Sequence, residues 1–192
     1  MKTEHAGMIE TVKDEIVAAI QGTGDIVQAT VDTITKTLAA TFKDSGKAGT
    51  SATDAIADVA SGAIRGGVQV GADLGHAAKG IMVGVLRGTK EAGTKVLDTI
   101  SHTAHVTIRD TAAVGGNLGA AATGLVEGAI AGAKEVGVSV EDAASAAADG
   151  ALKAAGKVGS TAVETVRNAV TKTAHGAKVV LKQSKGGRPV TS

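Results

Sequence analysis

The stretch AIRGGVQVGADLGHAAKGIMVG, residues 63–84, runs without a gap into VLRGTKEAGTKVLDTISHTAHV, residues 85–106, and the two decide the fold. Laid one above the other, they place Ile64 over Leu86, Arg65 over Arg87 and Gly71 over Gly93, with Val70 and Ala92 just before those glycines. The same frame extends in both directions, to units starting at Ala19, Thr41, Thr107, Ala129 and Ala151. The second position reads Ile20, Phe42, Ile64, Leu86, Ile108, Ile130 and Leu152. The third is basic at Lys43, Arg65, Arg87, Arg109 and Lys153, and the ninth is Gly49, Gly71, Gly93, Gly115, Gly137 and Gly159. Five positions on, an acid recurs at Asp54, Asp98, Asp142 and Glu164. A fixed period of this size is the mark of a repeat architecture.

The period is two elevens, and eleven residues in three helical turns give about 3.67 residues per turn, close to the natural 3.6. Apolar residues recur at spacings of three and four, and strand-like alternation is absent. The pattern predicts an all-α chain of long amphipathic helices, packed either as hairpins or as an oligomeric bundle or tube. With one proline, Pro189, in 192 residues, uninterrupted long helices stay open beside hairpins. The best break is the Gly- and Ser-containing stretch 44–51, with weaker ones at Gly115-Gly116-Asn117 and after Lys182. The organisation expected is an N-terminal helix over 1–43, a hinge at 44–51, a repeat region over 52–182 and a basic flexible tail over 183–192.

Composition narrows the function. Hydrophobic residues make up 43% of the chain, yet Phe42 is its one aromatic residue, so the large areas that aromatics bury in ordinary cores are missing. Twenty-seven glycines are interleaved with Ile, Val and Leu, which argues against disorder. The absence of cysteine removes disulfides, thiolate metal sites and a cysteine nucleophile. Acidic and basic residues interrupt the first twenty positions, leaving no apolar run for secretion. The longest charge-free run, between Asp110 and Glu127, has sixteen residues, short of the roughly 20 that span a bilayer. The expectation is a cytoplasmic chain, placed at the inner face of the membrane if it tethers something there. A net charge of +1 and the lack of stacking aromatics speak against nucleic acid.

Glycine inside a helix costs about 0.5–1 kcal/mol relative to alanine, so this many demand an offsetting interaction. They fall four apart, on one helix face: Gly62 and Gly66; Gly67, Gly71 and Gly75; Gly80, Gly84 and Gly88; Gly115 and Gly119; Gly124, Gly128 and Gly132. A furrow without side chains lets a second helix approach closely. These residues, with Gly49, Gly93, Gly137 and Gly159, are the expected helix-packing set. Since one helix cannot bury its own stripe, the partner expected is a second copy of the chain, giving a homo-oligomer. The same stripe could instead lie on a lipid surface or enclose a lipophilic molecule such as a lipid or quinone.

Catalytic chemistry is not evident. Neither a phosphate-binding loop nor a dinucleotide glycine pattern is present, and no nucleophile-elbow pattern occurs. One titratable cluster, Asp98, His102 and His105, has spacings of four and three that would bring the three onto one helix face, where they could hold a metal or sense pH. A solvated polar face is the blander reading of the same residues.

The units beginning at Ala63 and Val85 resemble repeats in uncharacterised bacterial Gly/Ala-rich helical proteins. In general character the chain is also similar to the small helical stalk subunit of quinone-reducing, high-affinity uptake nickel–iron hydrogenases. That resemblance implies an apolar tube tethering a partner enzyme complex to a membrane, and it carries no residue roles. Eleven-residue helical repeats further resemble lipid-coating proteins of the apolipoprotein or phasin type and desiccation-stress protectants, the latter being far more hydrophilic than this chain, whose mean hydropathy is +0.17.

Overall fold

A computed structural model describes residues 2–44, 52–90 and 94–173. Every regular element in them is a helix: α1 (Lys2–Thr23), α2 (Ile26–Asp44), α3 (Ala52–Gln69), α4 (Leu74–Thr89), α5 (Val96–Ala113), α6 (Leu118–Ala133), α7 (Val140–Val158) and α8 (Ser160–Thr173). Each repeat is therefore one helix of 14 to 22 residues plus a turn, not part of a longer rod. The segment 1–43, expected as one helix, is two, broken at Gly24 (φ +72), after which the Asp25 carboxylate accepts the Gln28 N–H at 3.0 Å and opens α2. The hinge expected at 44–51 lies outside the described residues apart from Asp44, which ends α2, and so does the tail at 183–192.

The turns explain the phase of the ninth-position glycines. After α3, Gly71 takes φ +66, its N–H donates to the Val68 carbonyl and the Ala72 N–H reaches back to the Gly67 carbonyl at 2.8 Å. After α5, Gly115 takes φ +69, with matching bonds from Gly115 to Ala112 and from Gly116 to Thr111 at 2.8 Å. This is the Schellman closure of a helix C-terminus, which needs a left-handed residue just past the end. Two residues beyond each glycine stands a side chain that starts the next helix. Asp73 accepts the His76 N–H, Asn117 the Ala120 N–H and Ser139 the Asp142 N–H, at 2.9–3.0 Å, and each satisfies a helix N–H that has no partner within the helix. Stop and start signals thus sit side by side at these three turns.

Helices two apart in sequence pack together: α1 on α3, α3 on α5, α5 on α7, and α2 on α4, α4 on α6, α6 on α8, while neighbours in sequence also touch. The result is a two-layered array of odd and even helices. Its core forms two clusters, one centred on α1–α4 and one on α4–α8. The helix α4 serves both, giving Leu74, Ala77, Ile81 and Val85 to the first and Ala78, Met82 and Leu86 to the second. That is why its sequence is apolar nearly all round, as expected for an interior helix.

Candidate functional site

The furrow glycines mark where one helix lies on the next-but-one helix of the same chain. A methyl group built on Gly80 would stand 2.6 Å from Thr30 Cβ, on Gly84 2.9 Å from Ile34 Cβ and on Gly88 2.8 Å from Leu38 Cβ, all on α2. On α3, Gly62 and Gly66 would meet the Ile9 and Lys13 carbonyl oxygens of α1 at 2.7 and 2.9 Å. The α4–α6 seam has glycine on both sides. A methyl on Gly124 would fall on the Gly75 carbonyl, one on Gly75 would stand 3.0 Å from the Ala120 carbonyl oxygen, and Gly128 and Gly132 face Met82 and Leu86. Gly119 is looser, at 3.4 Å from Thr165 Cγ2 of α8. Close approach of backbones without a side chain between them is what these positions achieve.

Four members of the expected packing set do something else. A methyl placed on Gly71, Gly115, Gly137 (φ +76) or Gly159 (φ +150) would have no atom within 4 Å, and all four lie at helix ends, so they turn the chain and do not pack helices. Gly49 and Gly93 lie outside the described residues. The in-phase recurrence is real, but its cause is backbone conformation. Conversely, Gly150 of α7, outside the expected set, sits where a methyl would strike the Ser101 carbonyl of α5. The sequence does carry a signal for it, since it stands in an Ala-rich run from Ala143 to Ala155 that is buried along one side.

Around the seams, charge joins a helix to the next-but-one repeat. Arg87 of α4 holds Glu135 with two parallel bonds, Nε to Oε2 and Nη2 to Oε1, both 2.9 Å, and Lys79 reaches Glu127 at 3.2 Å. The hydrogen bonds from Arg87 hold the Glu135 carboxyl below its ordinary range, and Glu135 in turn raises the guanidinium. Such exposed pairs add at most about 1 kcal/mol each, so they tune register more than they hold the array.

The cluster Asp98, His102 and His105 does not converge. His102 Nε2 lies 3.2 Å from the Thr53 carbonyl on α3, whereas His105 Nε2 lies 3.4 Å from Lys157 Nζ on α7. The spacing of three keeps the two residues on one face of α5, but the rings turn apart toward the helices on either side, α3 and α7, and among the described residues no group of three His, Asp or Glu side chains is placed to hold a metal. Asp98 and His102 line an open groove of about 420 Å³ between the first turns of α3 and α5. Burial, and after it the nearby Lys157, His102, Arg109 and Lys153 charges, pushes the His105 imidazole below its ordinary pKa.

No protein-family model and no curated protein matches this chain. Among solved structures it is similar to the "Crystal structure of de novo designed helical repeat protein DHR7", with a TM-score of 0.56 and 16% identity, over 91% of this chain and 95% of that one. The protein is an all-helical repeat. At that identity the likeness concerns the fold alone. Among the described residues no helix is long and apolar enough to cross a membrane.

Proposed function

We propose that this repeat protein is a non-enzymatic scaffold, a preformed helical array whose outer faces hold copies of itself or a partner complex. The observation that carries the reading is the filling of the glycine furrow by the chain's own helices, with Ile34, Leu38, Met82 and Leu86 wholly buried along the seams. A chain that satisfies its apolar stripe internally has a shape before any partner arrives. Repeat arrays of this kind present extended surfaces, and that is their usual use.

The same observation disfavours a lipid coat, which must present its apolar face to the lipid. Among the described residues the large apolar side chains that stand exposed are Val68, Leu97, Val114 and Val158, all at helix ends. The tethering role implied by the resemblance to hydrogenase stalks fits a scaffold. Three grooves along the described part of one chain, of about 420–510 Å³, are open to solvent, so an enclosed lipid or quinone fits better between copies than in any of these.

The test is circular dichroism of the purified chain in plain buffer, before and after adding anionic phospholipid vesicles, together with native mass measurement. A scaffold is fully helical before vesicles are added and unchanged after them, and its native mass reports bound copies or a companion. A chain that is coil-like alone and gains helix on vesicles is a lipid coat.

A further inference from the structure

The outer face of the odd-numbered layer carries two parallel rows of opposite charge. Asp54, Asp98 and Asp142 are each the third residue of α3, α5 and α7, and Arg65, Arg109 and Lys153 are each the fourteenth. All six are exposed. Within each helix the acid and the base are eleven residues apart, three turns, so they share a face about 16 Å from one another along the axis. Between them on the same face stand Asp58 and Ser61 of α3, His102 and His105 of α5, and Ala146 and Asp149 of α7, all buried or half-buried, so the exposed charges of the face are the two rows.

The acids lie in first helical turns, where the helix dipole favours them. The bases need another reason. None of Arg65, Arg109 and Lys153 lies in the last turn of its helix, and the dipole acts only over that turn. Arg109 and Lys153 each have a carboxylate nearby, Asp110 at 2.7 Å and Asp149 at 3.7 Å, but their side chains remain 54% and 67% exposed. The basic row therefore faces solvent as a row.

We infer that this striped face is self-complementary and docks a second copy of the chain. A two-fold axis lying in the face and running along the rows lays the acidic row of each copy over the basic row of the other. The contact is then isologous, and it closes as a dimer and not as an open filament. Charge placed this way fixes register and speeds encounter more than it adds affinity, and it is weakened by salt. The inference rests on the scaffold reading, whose array sets the helices side by side.

Sedimentation of the full chain tests it. The wild type is expected to dimerise at low ionic strength and to weaken about tenfold or more between 50 and 500 mM salt. The triple variant Arg65→Glu, Arg109→Glu, Lys153→Glu is expected to be monomeric, as is Asp54→Lys, Asp98→Lys, Asp142→Lys, and an equal mixture of the two is expected to dimerise again. Should the lysine triple lose helix, Asp54→Asn, Asp98→Asn, Asp142→Asn takes its place, and it is expected to stay helical and lose association. A wild type that is monomeric at low salt, or either charge-reversed triple associating as the wild type does, overturns the inference. In the latter case the scaffold reading stands with a different face; helix that forms only on lipid would overturn that reading instead.

Discussion

At the scale of single residues, glycine does three separate jobs in this chain, and substitution separates them. Gly156 of α7 has open space around it and no unusual φ, so Gly156→Ala is expected to stabilise by about 0.5–1 kcal/mol through helix propensity. Gly128 faces the Lys79 carbonyl and Met82 Cβ, both at 2.8 Å from an added methyl. Gly128→Ala is expected to destabilise by about 1–3 kcal/mol, because a backbone carbonyl cannot give way. Gly115→Ala meets no atom but must hold φ +69, which costs about 1–2 kcal/mol. Chemical denaturation of the three variants checks the order. If all three were equivalent, the furrow would be no more than helix with weak propensity.

At the scale of the element, the helices were legible in the sequence, and so was the break at Gly115-Gly116-Asn117 that separates α5 from α6, but the remaining described helix ends were not. The spacing of three and four gives the helical class, but a period of 22 reads equally as a continuous rod or as a helix plus a turn. What settles it is the Val-Gly pair followed by a capping side chain, as in Val70-Gly71-Ala72-Asp73 and Val114-Gly115-Gly116-Asn117. A glycine read only for its size hides a glycine needed for its φ, and the two coincide in this repeat. The furrow residues on α4 and α6 were legible because crowding by a neighbouring backbone leaves a four-residue spacing, while the divergence of His102 and His105 was not, since it depends on where α3 and α7 lie. The α5–α7 contact also carries a pH dependence. Burial and the facing cations hold the folded His105 below its ordinary pKa, so the unfolded chain binds the proton at higher pH. Stability is therefore full above the ordinary value of about 6.5 and falls as pH drops through it, levelling once the folded imidazole is also protonated. Thermal midpoints measured from pH 7.5 to 5.5 are expected to fall less steeply in His105→Gln than in the wild type; parallel slopes would remove His105 from that dependence.

At the scale of the whole molecule, the sequence called for a partner to fill the stripe, and the fold supplies that partner from within. Each helix is covered by the next-but-one helix, so the array is stabilised by neighbour-to-neighbour seams and the outer faces are left for other work. The chain contains no cysteine, which allows a direct test with the double variant Lys79→Cys, Glu127→Cys. These positions face one another across the α4–α6 seam, with Lys79 Nζ 3.2 Å from Glu127 Oε2. Because the Lys79 and Glu127 side chains together span the gap between the two backbones, the thiols are joined at high dilution with a short bismaleimide in place of a direct disulfide, and the double variant is expected to crosslink within one chain, seen as a faster-migrating monomer. Crosslinks formed only between chains, or none at all, would contradict the internal filling of the furrow on which the fold and the proposed function both stand.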